Sequence, residues 1–320
     1  MGYFERLFNL MVQVMLPLSL LVAAGGVWPI VFKDTPVEHT RTQLNRLVMY
    51  LFYPSIMFAV AATTPITGDL LSVPLLVGIA SLCCGGLLYW LLYWSPLGRN
   101  LKNTTRAVLV VGGMFGNTFN IGAPVLIFFF GADAMRYAIF NDMLMQIPVV
   151  WTLGVWVCTR LGSQRDDADQ PSIVRVMLAM PPIWAFIGGV TLQQLGLVYA
   201  PLINATRFIG QATIPVILFV FGMTIPWREL RPKPEILAAA GVKLLIAPVF
   251  AWAAARLLFH SMGEAQYAAV VEGTTPGMVM TLLLADRFRL DQGAAALLIG
   301  WTTILFWITL PLALAAHLIK

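Results

Sequence analysis

Long apolar runs without a charge, Leu7 to Phe32, Leu47 to Gly68, Ala107 to Ala132 and Gln292 to Ile319, restrict this chain to one environment. Each exceeds the roughly 20 residues that a helix needs to cross about 30 Å of hydrocarbon. In lipid every backbone N–H and C=O must be satisfied internally, so runs of this length fold as spanning helices. Hydrophobic residues make up 59% of the 320 and charged residues 11%, too few charges for a water-facing surface. The net charge of +5 does not mark a nucleic-acid partner, because the cations fall in short loops beside spans, where they set orientation in the bilayer.

An internal echo adds a second constraint. Arg46 to Pro65 aligns without a gap on Arg207 to Pro226, 161 residues later, and keeps Arg, Pro, Ile, Phe, Thr and Pro in register. The same offset carries Ala107, Val110, Gly112 and Gly116 onto Ala268, Val271, Gly273 and Gly277. A fixed offset of this kind is the mark of a duplicated half.

Charge and turn clusters divide the chain into spans near 8–32, 46–65, 72–94, 106–130 and 136–159, then 174–195, 204–226, 236–258, 266–286 and 292–317. The reading is an all-α membrane protein of ten transmembrane helices: a first five-helix repeat over 1–160, a cytoplasmic linker over 161–173, and a second repeat over 174–320. Of the 20 Lys and Arg, fourteen fall in the loops after the odd-numbered spans, and the positive-inside rule makes that side cytoplasmic. Both termini then face outward, the periplasmic side of a bacterial inner membrane. An odd number of spans in each half inverts the second repeat relative to the first.

Two spans carry residues that an uninterrupted helix would not choose. In span four, Gly112 to Pro124 (GGMFGNTFNIGAP) places four glycines, two asparagines and a proline in apolar surroundings; in span nine, Glu272 to Gly277 (EGTTPG) does the same. Broken helices at matching depth in two halves point to the central site of a secondary transporter, although a Pro/Gly kink can also serve packing alone. The inner N-termini of such breaks offer free N–H groups and positive dipole ends, so an anion can bind there without a lysine. The candidate substrate residues are Gly116, Asn117, Asn120, Thr274, Thr275 and Pro276, with the amides and hydroxyls orienting a carboxylate.

Asp142 and Gln146 are spaced to share a face of span five, and Glu272 lies one helical turn before Pro276. These three are candidates for proton or cation coupling; the alternatives are a helix cap for Asp142 and structural pairing for Glu272. Lys243, inside span eight, is expected to snorkel or to pair with a carboxylate. No H-E-x-x-H, G-x-S-x-G or phosphate-loop pattern occurs, so no enzyme activity is expected. The scattered His39, His260 and His317 and the apolar setting of Cys83, Cys84 and Cys158 call for no cofactor or metal.

The chain resembles the auxin efflux carrier family along nearly its whole length. The matching pieces are Pro54 to Phe58, Gly116-Asn117-Thr118 through Gly122-Ala123-Pro124, Trp151 to Gly154, Pro181-Pro182, Ala212 to Pro215 with Gly222, and Thr275-Pro276. The resemblance implies a scaffold and a transport bundle, a crossover of spans four and nine, and elevator-like access similar to bile-acid symporters. It also implies an organic-anion substrate and a homodimer through the scaffold. The short linker departs from plant hormone exporters, which carry a long loop there, and this turns the expectation from auxin to a small carboxylate such as malonate or malate. A membrane-embedded sensor or channel on the same bundle is the competing expectation.

Overall fold

The computed structural model describes residues 3–34, 36–162, 175, 178–225, 227, 230–316 and 318. All regular structure among them is helical, without strands. Among the described residues, seven helices are long and apolar enough to cross a membrane. They are α1 (Leu7–Val31), α2 (Val37–Thr63), α3 (Gly68–Trp94), α6 (Ala132–Leu161), α8 (Ala200–Thr224), α9 (Pro234–Leu258) and α12 (Gln292–Ala315). Between them lie the shorter α4 (Asn103–Met114), α5 (Thr118–Phe130), α7 (Pro181–Gln194), α10 (Glu264–Gly273) and α11 (Met280–Arg287). Three of the ten expected spans are therefore not single long helices: four is split into α4 and α5, nine into α10 and α11, and six is described only as the 14-residue α7. Most of the expected linker lies outside the described residues.

Proline sets much of the local geometry. Wide π-helical turns at Leu10–Met15, Val48–Phe52, Thr118–Gly122, Asp142–Gln146 and Val242–Ile246 each end two residues before a proline, namely Pro17, Pro54, Pro124, Pro148 and Pro248. Proline has no N–H to give the preceding turn, and its ring crowds the carbonyl four residues back; widening that turn by one residue relieves both while the helix continues. Asp142, Gln146 and Lys243 all sit on such turns.

Helices pack in two groups. In one, α7 lies on α2 and α8 on α1; in the other, α3 is packed by α4, α6, α9 and α10, and α12 lies against α4 and α9. Contact in the first group is backbone to backbone. A Cβ on Gly189 would stand 2.6 Å from the Phe58 carbonyl oxygen, and one on Gly25 would collide with the Phe219 carbonyl. Phe58 and Phe219 are themselves 161 residues apart, so the two helix pairs reuse one close approach. Small residues are what lets helices approach in lipid, where no hydrophobic force pulls them together. Outward faces stay apolar, with Leu257 at 84%, Phe208 at 78% and Trp94 at 75% exposure.

Candidate functional site

The helix that starts at Asn103 ends at Met114 and resumes at Thr118; the one that starts at Glu264 ends at Gly273 and resumes at Met280. The gaps are narrower than the sequence suggests. Gly112 and Gly113 remain helical because they pack against Leu298, Thr281 and Leu88 rather than unwinding. Pro124 stands beyond the first turn of the resumed helix, where the wide turn Thr118–Gly122 accommodates its missing N–H.

The two gaps meet. Gly116 and Gly277 form an isolated antiparallel bridge. The Asn117 N–H donates to the Pro276 carbonyl at 2.7 Å, and the Met278 N–H donates to the Phe115 carbonyl at 3.2 Å. The 161-residue offset maps Phe115 to Pro276, Gly116 to Gly277 and Asn117 to Met278, so each bond is the mate of the other. Only backbone obeys this symmetry: the counterpart of Asn117 at the 161-residue offset is Met278, a thioether in place of an amide. Position 116 must be glycine, since a Cβ there would collide with Thr275 Oγ1 and stand 3.0 Å from Lys243 Nζ.

Among the described residues, the buried charged side chains are Asp142, Lys243 and Glu272, at 6%, 3% and 0% exposure. All three belong to this junction. Asp142 is well supplied with donors: it accepts from the Tyr53 hydroxyl, from the Gln146 amide, the latter at 3.1 Å, and from Thr118 Oγ1 at 3.3 Å. Gln146 Nε2 also reaches the Gly116 carbonyl at 2.7 Å and Thr118 Oγ1 at 2.9 Å, tying the coupling candidates of span five to the broken helix. Asn120 Nδ2 donates to Asn117 Oδ1 at 2.7 Å. Of the nine candidate residues, Asn120 alone is half-buried; Gly116, Asn117, Asp142, Gln146, Glu272, Thr274, Thr275 and Pro276 are buried.

Three expectations change. The hydroxyls of Thr274 and Thr275 do not point outward as donors; they donate to the carbonyls of Val271 and Glu272 at 2.7 Å each and cap the end of α10. Their oxygens remain as acceptors. Glu272 lies beside Gly122, and neither carboxylate oxygen has a hydrogen-bond partner among the described residues. Lys243 neither snorkels nor forms an ion pair within 4 Å among the described residues; Nζ donates to the Gly273 carbonyl at 3.0 Å, inside the junction. A charge within a span is a functional candidate by default, and that signal was available for Lys243. Tyr53 and Thr302, whose Oγ1 accepts the Gly277 N–H at 3.0 Å, carried none beyond their apolar spans. At the other end of α10 an open polar pocket is lined by Asp69, Tyr137, His260 and Glu264, with Arg136 paired to Glu264 at 3.2 Å. Eight residues of helix, roughly 12 Å, separate Glu264 from Glu272.

Residues 10–314 match the family described as membrane transport protein, that of the auxin efflux carriers. The chain belongs to this family. An uncharacterized transporter of Methanocaldococcus jannaschii is 27% identical over 282 residues, covering 85% of this chain and 88% of its own length. A second uncharacterized transporter, from Methanothermobacter thermautotrophicus, is 26% identical over 279 residues, covering 86% and 88%. This member of the auxin efflux carrier family is thus a multi-pass membrane protein, and its relatives are transporters.

Proposed function

We propose that the chain is a secondary carrier that moves a small organic anion, a carboxylate such as malonate or malate, by exposing the junction alternately to the two sides of the cytoplasmic membrane. The observation that carries this reading is the pair of mutually equivalent backbone bonds, Asn117 to Pro276 and Met278 to Phe115, joining two interrupted helices inside the bundle. The leading N–H groups of α5 have no partners within their own helix; at α11 the Thr281 and Leu282 N–H groups already donate to the carbonyls of Met278 and Val279, and each start carries the positive end of a helix dipole. That arrangement attracts an anion with no dedicated lysine.

In this reading the fold comprises ten spans in two inverted repeats, 1–160 and 174–320, with the split helices as spans four and nine and both termini outside. Asn117 and Asn120 orient the carboxylate, Gly116 and Pro276 bring backbone up to it, and the oxygens of Thr274 and Thr275 shape the wall. Asp142, held by Tyr53, Thr118 and Gln146, takes and releases the coupling proton. The bond from Tyr53 on α2 to Asp142 on α6 links the two packing groups, so motion of one against the other breaks it. Liposomes containing the purified protein are expected to take up labelled malonate or malate. Asn117→Ala removes a hydrogen bond to a charged ligand, about 1.5–3 kcal/mol or roughly 10–100-fold in affinity, while its melting temperature stays near wild type. Absence of uptake for every carboxylate in the panel would refute the proposal.

A further inference from the structure

Asp142 and Glu272 are both buried acids at the junction, yet they are treated differently. Asp142 accepts from three side chains, whereas Glu272 accepts from none among the described residues. A buried carboxylate without donors is costly unless a positive charge stands nearby. Among the described residues Lys243 is the one buried cation, and its Nζ stands on the carbonyl of Gly273, the residue after Glu272. Thr275 joins the two: it flanks Gly116 together with Lys243 Nζ, and Gly122 together with the Glu272 carboxylate.

The Lys243 ammonium does not close onto the carboxylate. It stands at the C-terminal end of α10, on the Gly273 carbonyl, with Gly116 and Thr275 beside it. The carbonyls of Val271 and Glu272 accept the hydroxyls of Thr274 and Thr275, so Lys243 caps the one that follows them. A helix C-terminus is the negative end of the dipole, and the carbonyl ends of interrupted helices are where transporters of this general design hold a free monovalent cation. Here a positive charge that is covalently part of the chain sits on the Gly273 carbonyl beside the Thr275 hydroxyl, with the unpaired Glu272 carboxylate more than 4 Å away at the same helix end.

We propose that the ammonium of Lys243 is a tethered cation, occupying the place at the end of α10 that a free sodium ion would otherwise fill, so that this carrier needs no sodium. The dispensability of sodium in transport rests on the carrier reading above; the site itself does not. Shortening Lys243 would leave a space lined by the Gly273 carbonyl, Thr275 Oγ1 and Glu272, of the hard-oxygen type that suits sodium. Binding to the native state alone then raises the melting temperature.

The test compares melting in sodium chloride with melting in choline chloride at equal ionic strength. Wild type is expected to melt at the same temperature in both, Lys243→Ala to melt a few degrees higher in sodium, and Lys243→Ala/Glu272→Gln to lose that difference. Should Lys243→Ala resist purification, its recovery as folded protein from membranes extracted in each salt is the readout: recovery in sodium alone supports the proposal, and equal loss in both overturns it. A wild type stabilised by sodium over choline, or a single variant indifferent to the salt, also overturns it. Carboxylate-dependent stabilisation of wild type, run in choline, reports separately on the carrier reading, so either can fail without the other.

Discussion

Glycine at position 116 is required by what surrounds it rather than by its own torsion. Its missing side chain is the space into which Thr275 Oγ1 and Lys243 Nζ project, and its carbonyl accepts from Gln146. Gly116→Ala must push apart a capped helix end and a bonded backbone pair, which costs about 1–3 kcal/mol as overpacking does in a tight core. The expected result is a clear fall in melting temperature, with none for Gly86→Ala, whose new Cβ would meet nothing within 4 Å. Equal effects from both would mean that the junction is not tightly packed in solution. Gln146 shows how little of this was legible: the i, i+4 spacing from Asp142 was visible in the sequence, but its reach to the Gly116 carbonyl depends on which helix lies opposite.

Which elements break, and where, was largely legible because glycine, proline and polar residues in lipid leave few alternatives to an interrupted helix. The limits of each break were not. Glycines serve unwinding and close packing alike, and Gly112 and Gly113 turned out to pack. The wide turns before Pro17, Pro54, Pro124, Pro148 and Pro248 were equally unannounced, since proline can kink, end or widen a helix and tertiary contacts choose among these. Close approach makes its own prediction for the α2–α7 pair. Gly189→Val would drive a side chain into the Phe58 carbonyl and Ala61, whereas the neighbouring Gly188 faces only the Phe58 ring at 4.0 Å. Melting in detergent should show Gly189→Val destabilised by about 1–3 kcal/mol and Gly188→Val near wild type; the opposite order would mean that the α2–α7 pair packs on another face.

At the scale of the whole molecule, one junction serves both sides of the membrane in the proposed carrier. The repeat offset brings equivalent backbone together at Gly116 and Gly277, while the side chains around it differ: Asn117, Asn120 and Asp142 come from the N-terminal half of the chain, and Glu272, Thr274 and Thr275 from the C-terminal half. A carrier of this kind cycles between two arrangements, and its substrate on the far side speeds the return of the site. A sensor would bind without moving anything, and a channel would pass ions with no such exchange. Counterflow tests this most directly. Liposomes preloaded with unlabelled carboxylate should accumulate labelled carboxylate transiently and saturably, faster than empty liposomes, and Asn117→Ala should remove the acceleration; identical uptake with and without preloading would contradict alternating access.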